Sequence, residues 1–308
     1  MRSTYRALLA IVCALSSLVP AIASADPPVR DDVRALSAHL RSHPSDVAAL
    51  IERSELYRRE GNAEGALADL RVAAALAPDE PRVHAQRAVV LHAMGRHEEA
   101  LAELDAYVER ALGPGPDLLA LRARILVRME RLEDALADYD AALALREEVE
   151  LYLERGRLLE QLGRVEDAAR GYDEGLRATD AAVLRVESVE LDLRTSRADR
   201  ALVRVDEVLA HAPARARWLL LRARALDALA RGDEARAARH EALSETERRL
   251  VRRPTPALHV ERGEALLALG RAHDALAAAT RARSLAPRLG DAIDLELRAR
   301  RAIEGGER

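Results

Sequence analysis

Lysine and phenylalanine are absent from this 308-residue chain, and cysteine and tryptophan occur once each. Without lysine there is no Walker A loop and no Schiff-base amine. With one thiol, Cys13, no intramolecular disulfide can form. Aromatic residues make up only 2% of the chain, so a core has to be filled by small residues on closely spaced elements. Glycine and proline are few and recur at regular intervals, which argues against disorder. Catalytic signatures are missing too. No H-E-x-x-H occurs, and the nearest stretch, His97-Glu98-Glu99-Ala100, lacks the second histidine. No G-x-S-x-G elbow and no glycine-rich phosphate loop is present. These absences predict a protein that is not an enzyme and binds no cofactor.

What the chain has is alanine, leucine and arginine, all strong helix formers. The Ala/Arg bias is that of a GC-rich genome. The chain opens with a signal-like segment. Arg2 and Arg6 precede an apolar run from Ala7 to Val19, then Pro20 and the small-x-small triplet Ala23-Ser24-Ala25. That order predicts a cleaved secretory signal over residues 1–25 and a periplasmic or extracellular protein of bacterial type. An uncleaved anchor is the alternative, because Ala7 to Ala25 is just long enough to span a bilayer. Cleavage removes Cys13 and two of the 48 basic residues but none of the 52 acidic ones, leaving a net charge of −6. A mildly acidic chain has neither a nucleic-acid nor a membrane signature.

Seven alanines mark a period: Ala66, Ala100, Ala135, Ala168, Ala201, Ala235 and Ala275, spaced 34, 35, 33, 33, 34 and 40 residues apart. Each sits in a similar phrase, such as EGALADL, EEALAEL or EDALADY. Within one period, Leu50, Ser54 and Tyr57 share a helical face. Gly61-Asn62 then breaks the helix, a second helix runs through Ala66, Leu70 and Ala73, and Pro78 ends it. Helices of about 13 residues are only about 20 Å long and do not hold alone in water, so each pair has to bury its face on the next. Ser54, Ala88, Ala123, Gly156, Ala223 and Gly263 occupy one slot of the first helix, facing the seven alanines. Val189 is the bulky exception, which predicts a looser or shifted fifth repeat.

This grammar resembles the tetratricopeptide repeat family over about residues 47–287. The first repeat supplies Leu50, Ser54, Tyr57, Ala66, Leu70, Ala73 and Pro78; the fourth supplies Tyr152, Gly156, Leu159, Ala168, Tyr172 and Gly175. The resemblance implies an all-α, right-handed superhelical solenoid of about seven helix–turn–helix repeats. The expected organisation is a linker and capping helix over 26–46, the array over 47–287, and a capping helix and tail over 288–308. The caps read as helices from Asp31 to His43 and from Leu289 to Ile303, with the terminal GGER fraying. SETERRLVRRPTP accounts for the long spacing if the sixth repeat's second helix runs on. One departure is systematic. The slot before the small residue, usually leucine in the family, is Arg53, Arg87, Arg122, Arg155, Arg222 and Arg262, broken only by Ser188. It is either a functional ladder or, the favoured reading, a set of stems packed on a neighbouring helix with heads on carboxylates.

The resemblance also implies a groove lined by the first helices. Carried over position by position, its lining takes in Glu55, Arg58, Arg59, Arg82, His92, Arg124, Arg128, Arg157, Glu160, Glu190, Arg194, Arg217, Arg224, Asp227 and Glu264. Arg58, Arg59, Arg82, Arg124, Arg128 and Arg157 are the candidate partner-binding residues, in repeats where arginine outnumbers acid. They favour an acidic protein or peptide partner; a solvated mixed-charge face is the alternative. The family's chaperone-binding clamp is absent, since there is no lysine and the only asparagine, Asn62, lies in a turn. His39 and His43, four apart, could ligate a metal but lack a third ligand nearby. Arg231-Gly232-Asp233 reads as a turn, and Arg248, Arg249, Arg252 and Arg253 as charges at a helix C-terminus rather than a nucleic-acid patch. The function this supports is an exported, non-catalytic protein–protein interaction scaffold. The alternative is a ligand-binding or accessory subunit of an envelope enzyme complex.

Overall fold

The computed structural model describes residues 27–110 and 113–306; the signal-like segment and Cys13 lie outside them. Among the described residues there are sixteen α-helices and no strand. α1 is Pro27–Ser42. Seven pairs follow: α2 (Val47–Arg59) with α3 (Ala63–Leu76), α4 (Pro81–Ala93) with α5 (His97–Arg110), α6 (Pro116–Arg128) with α7 (Leu132–Leu145), and α8 (Val149–Gln161) with α9 (Val165–Thr179). Then come α10 (Ala182–Arg194) with α11 (Ala198–Leu209), α12 (Ala216–Ala228) with α13 (Gly232–Arg252), and α14 (Pro256–Ala268) with α15 (Ala272–Leu285). α16 is Gly290–Gly306. Every first helix of a pair is 13 residues long. The chain divides into two compact units, one ending at Arg146 and carrying α1–α7, the other beginning at Glu147 and carrying α8–α16.

A left-handed residue turns each pair. Gly61, Gly95, Gly163 and Gly270 have φ between +72° and +78°, and Glu130, Ser196 and Ala230 adopt φ of +57° to +59° in the other three turns. In five pairs the next residue is an arginine whose guanidinium reaches a carboxylate three positions on: Arg96–Glu99, Arg131–Asp134, Arg164–Asp167, Arg231–Glu234 and Arg271–Asp274. That is the physical content of the Gly-Arg turn followed by Glu/Asp-x-Ala. The acid sits in the first helical turn, where the macrodipole favours it, and the arginine brackets it. Asn62 does the job differently, accepting the Gly65 amide at 3.0 Å as an N-cap. Arg231-Gly232-Asp233 belongs to this turn geometry.

The small-against-small register holds. All seven period-marking alanines are fully buried, as are Ala88 and Ala123, and Ser54 and Ala223 are 1% exposed. Four residues after the first five of these alanines (Arg239 and Ala279 hold that position in the last two repeats), Leu70, Leu104, Tyr139, Tyr172 and Val205 fill the space that the missing phenylalanines would take. Burying each such side chain stabilises the pair by about 1.5–3 kcal/mol. In the fifth repeat the expected shift is present. Val189 is fully buried, and α11 packs more extensively on α12 of the next repeat than on its own partner α10.

The ends depart from expectation by a few residues. α1 begins at Pro27 rather than Asp31, because a proline in the first turn forfeits no helical hydrogen bond. α16 continues through Ile303 to Gly306, so two residues of the GGER tail are helical. It is no solvating helix on its inner side: Ala292, Leu295 and Ala299 are fully buried against α14 and α15. α13 runs for 21 residues, which accounts for the 40-residue spacing.

Candidate functional site

The arginines that replace the family's leucine are structural. Arg53 donates to both carboxylate oxygens of Asp69 at 2.7 Å, and Arg122 to both of Asp138 at 2.8 and 2.6 Å. Arg87 pairs with Glu103 at 2.9 Å, Arg222 with Asp206 at 2.7 Å and Arg262 with Glu247 at 3.1 Å. Asp69 and Asp138 are buried, and the bonds to them hold the Arg53 and Arg122 guanidiniums above their ordinary range. Each stem crosses to the second helix and each head ends on an acid, so this series is spent on packing.

Where Ser188 interrupts the series, the charges are exchanged between helices. Arg204 sits on the second helix, three residues after Ala201, where Asp69 and Asp138 sit in their repeats. It bonds Asp192 of α10 at 3.0 Å and Asp173 of α9 at 2.8 and 2.9 Å. Asp192 is 1% exposed. Burial raises its carboxyl above the usual range, while the guanidiniums of Arg200, Arg204 and Arg197 pull it back.

The candidate face is formed by first-helix positions one, four and five residues after the small slot. In the second unit every charge there is cancelled. Arg157 pairs with Glu187 at 3.2 Å, Glu160 with Arg194 at 2.9 Å and Glu190 with Arg224 at 2.5 Å, while Asp227 is taken by Arg239 and Glu264 by Arg298. Three of these links join residues 34 apart, one repeat to the next. A groove of about 800 Å³ lies on this face, with Leu220, Val260, Leu267 and Ala268 beside Arg217, Arg224, Glu264 and Arg298.

In the first unit the same positions hold Glu55, Arg58, Arg59, His92, Arg124 and Arg128 among apolar residues. Glu55, their only carboxylate, is engaged by Arg59 at 2.5 Å. Arg128 and Arg58 make no ion pair among the described residues, and Arg58 Nε is buried without a hydrogen-bond partner. Arg124 and Arg128 are exposed. His92 lies within the field of both: burial first, then His97, Arg128 and Arg124, pushes its imidazole below the ordinary value. Arg82 is exposed at the start of α4, its amide held by Glu80 at 3.2 Å. Of the six arginines singled out in the sequence, five therefore belong to the first unit, and Arg59 and Arg157 already carry a carboxylate. Sequence reasoning missed His97, Glu187, Arg239 and Arg298; an opposite charge 34 residues away was an available signal for Arg298 alone.

The remaining candidates have local partners. His39 and His43 stack at 4.5 Å, and His39 Nε2 bonds Asp46, the N-cap of α2, at 2.8 Å. Among the described residues no group of three or more His, Cys, Asp or Glu could hold a metal ion, and no helix is long and apolar enough to cross a membrane. Arg249 and Arg252 occupy the last turn of α13, and Arg249 pairs with Glu261 at 2.7 Å.

Tetratricopeptide repeat family models match residues 57–125 and 121–183. A tetratricopeptide repeat protein from Parabacteroides merdae is 20% identical with a TM-score of 0.50, over 82% of this chain and 98% of that one. The C-terminal part of a TPR repeat-containing protein from Cytophaga hutchinsonii is 17% identical with a TM-score of 0.56, over 80% and 98%. YrrB, described as a TPR protein with an unusual peptide-binding site, is 17% identical with a TM-score of 0.50, over 68% and 99%. No curated protein matches the chain. Identities this low speak for the fold alone. The seven buried alanines, the repeated helix pair and these solved structures give the chain the tetratricopeptide repeat fold, and the two family models identify tetratricopeptide repeats in it over residues 57–183.

Proposed function

We propose that the protein is an exported, non-catalytic scaffold that holds an acidic segment of a partner protein on the first-helix face of its first unit. Tetratricopeptide repeats are protein–protein interaction modules, and the finer assignment rests on one observation. Every charged group at these positions of the second unit is paired with a neighbour, whereas in the first unit Arg58 and Arg128 make no ion pair among the described residues, His92 lies in the field of Arg128, and the single carboxylate there, Glu55, is already held by Arg59. A basic patch left standing in an acidic chain is matched by carboxylates, which guanidinium groups recognise through paired, charge-assisted hydrogen bonds. Binding of this kind needs side-chain pockets and charge, with no bond made or broken.

The test is affinity capture from an envelope extract with the tagged protein and with an Arg58→Glu/Arg128→Glu variant. Capture of a partner by the parent and its loss in the variant, with the thermal melt unchanged, is the expected result. Equal capture by both sinks the assignment to this face. An enzyme activity that copurifies equally with both proteins favours the accessory-subunit reading.

A further inference from the structure

His92 lies in the last turn of α4 and His97 opens α5, with ring centroids 5.3 Å apart and planes tilted by 46°. In both rings Nδ1 is buried without a hydrogen-bond partner. Neither ring bonds to another described residue. Protonating the His92 ring places a second N–H where nothing accepts it, and the nearby guanidiniums oppose the charge. The charged groups that act on His92 come from two of the four helices packed on α4. α5 contributes His97, and α6 contributes Arg124 and Arg128. α2 carries Arg58 at the equivalent position one repeat earlier. Glu64 of α3 acts on Arg96 and not on His92. No carboxylate figures among the charges on the His92 imidazole.

We propose that docking of an acidic segment on this face is coupled to proton uptake by His92, whose ring lies beside that of His97, so that the face holds carboxylates more tightly as the pH falls. The inference rests on the acidic-partner reading and adds its regulation. The sign follows from linkage. In the free protein the His92 imidazole sits below its ordinary value of about 6.5. A carboxylate brought beside the ring raises it, so the complex binds more protons than the free protein and its affinity climbs as pH falls. Each unit by which docking raises the imidazole is a tenfold gain, about 1.4 kcal/mol.

The experiment titrates an acetylated, amidated hexa-aspartate peptide against the full protein at low salt. Aspartate carboxylates, with pKa values of about 3.9, stay ionised between about pH 5.5 and pH 7.5. The expected result is binding that tightens by about three- to tenfold over that interval, with the imidazole proton resonances of His92 titrating at higher pH in the complex. His92→Gln/His97→Gln should bind with a flat pH profile. A flat profile in the parent overturns the coupling and leaves the acidic-partner reading standing. A slope that survives in the double variant overturns the assignment to His92. No binding at any pH overturns both. The resonance measurement needs no variant, so a folding defect in the histidine double mutant would not rescue the idea.

Discussion

Gly156 and Tyr172 are one decision written in two places. A Cβ on Gly156 would lie 2.2 Å from the Tyr172 ring, which is fully buried and donates its hydroxyl to Glu160 at 2.9 Å. Burial, with Glu160 beside it, raises the Tyr172 hydroxyl far above the usual tyrosine range. The ring takes the volume that serine or alanine fills at Ser54, Ala88, Ala123 and Ala223. Gly156→Ala is therefore expected to destabilise the second unit by about 1–3 kcal/mol through overpacking, as is Ala168→Leu on the facing helix. Thermal or denaturant melts read the effect, and melts unchanged in both variants would mean the register is wrong. The glycine and the tyrosine are both visible in the sequence. Their mutual fit is not, because a period of 34 locates slots and says nothing about which side chain leans into which.

At the scale of the element, the turn and the fifth repeat make opposite predictions. Ala230 holds φ at +57°, where a Cβ costs about 1–2 kcal/mol, and glycine's extra freedom in the unfolded chain returns about 0.4–1 kcal/mol of that. Ala230→Gly is expected to raise stability by a few tenths to about 1 kcal/mol, seen as a higher melting midpoint; a lower midpoint would refute the turn argument. The fifth repeat works through charge. Asp192 is almost wholly buried and faces Arg197, Arg200 and Arg204 at 3.2, 3.6 and 3.0 Å. Asp192→Ala leaves three guanidiniums without their shared anion and should destabilise by about 3 kcal/mol or more. A loss no larger than that of an exposed ion pair, about 1 kcal/mol at most, would show the cluster to be solvated. Val189 in the sequence was enough to mark this repeat as different. The exchange of arginine and aspartate between its helices was not legible, because it depends on which residues of α9, α10 and α11 meet.

Across the whole molecule the two units divide the charge. The second unit ties its repeats together along the first-helix face with carboxylate–guanidinium links one period apart. Most of these groups are partly exposed, so each link adds little stability. Their larger effect is to remove charge from the face. In the first unit Arg58 and Arg128 keep theirs, with no ion pair among the described residues. Partner capture there is expected to weaken steeply as salt rises, since the Debye length shrinks from about 10 Å at 0.1 M to about 3 Å at 1 M. Capture measured at increasing salt checks this, and salt-independent capture would place the partner on apolar surface such as the groove beside Leu220 and Leu267.

The sequence by itself determined the repeat, the small-against-small register and the long sixth-repeat helix. These follow from chain-local periodicity, from glycine and alanine sizes, and from helices too short to stand alone. The purpose of the arginines was decided only in three dimensions. Arg53 and Arg122 look no different in sequence from Arg58 and Arg128. A guanidinium acts as a strut or as a free cation according to the carboxylate its long stem can reach, and reach is set by the neighbouring helix. The same holds for His92, whose nearest charges come from the helices packed beside it.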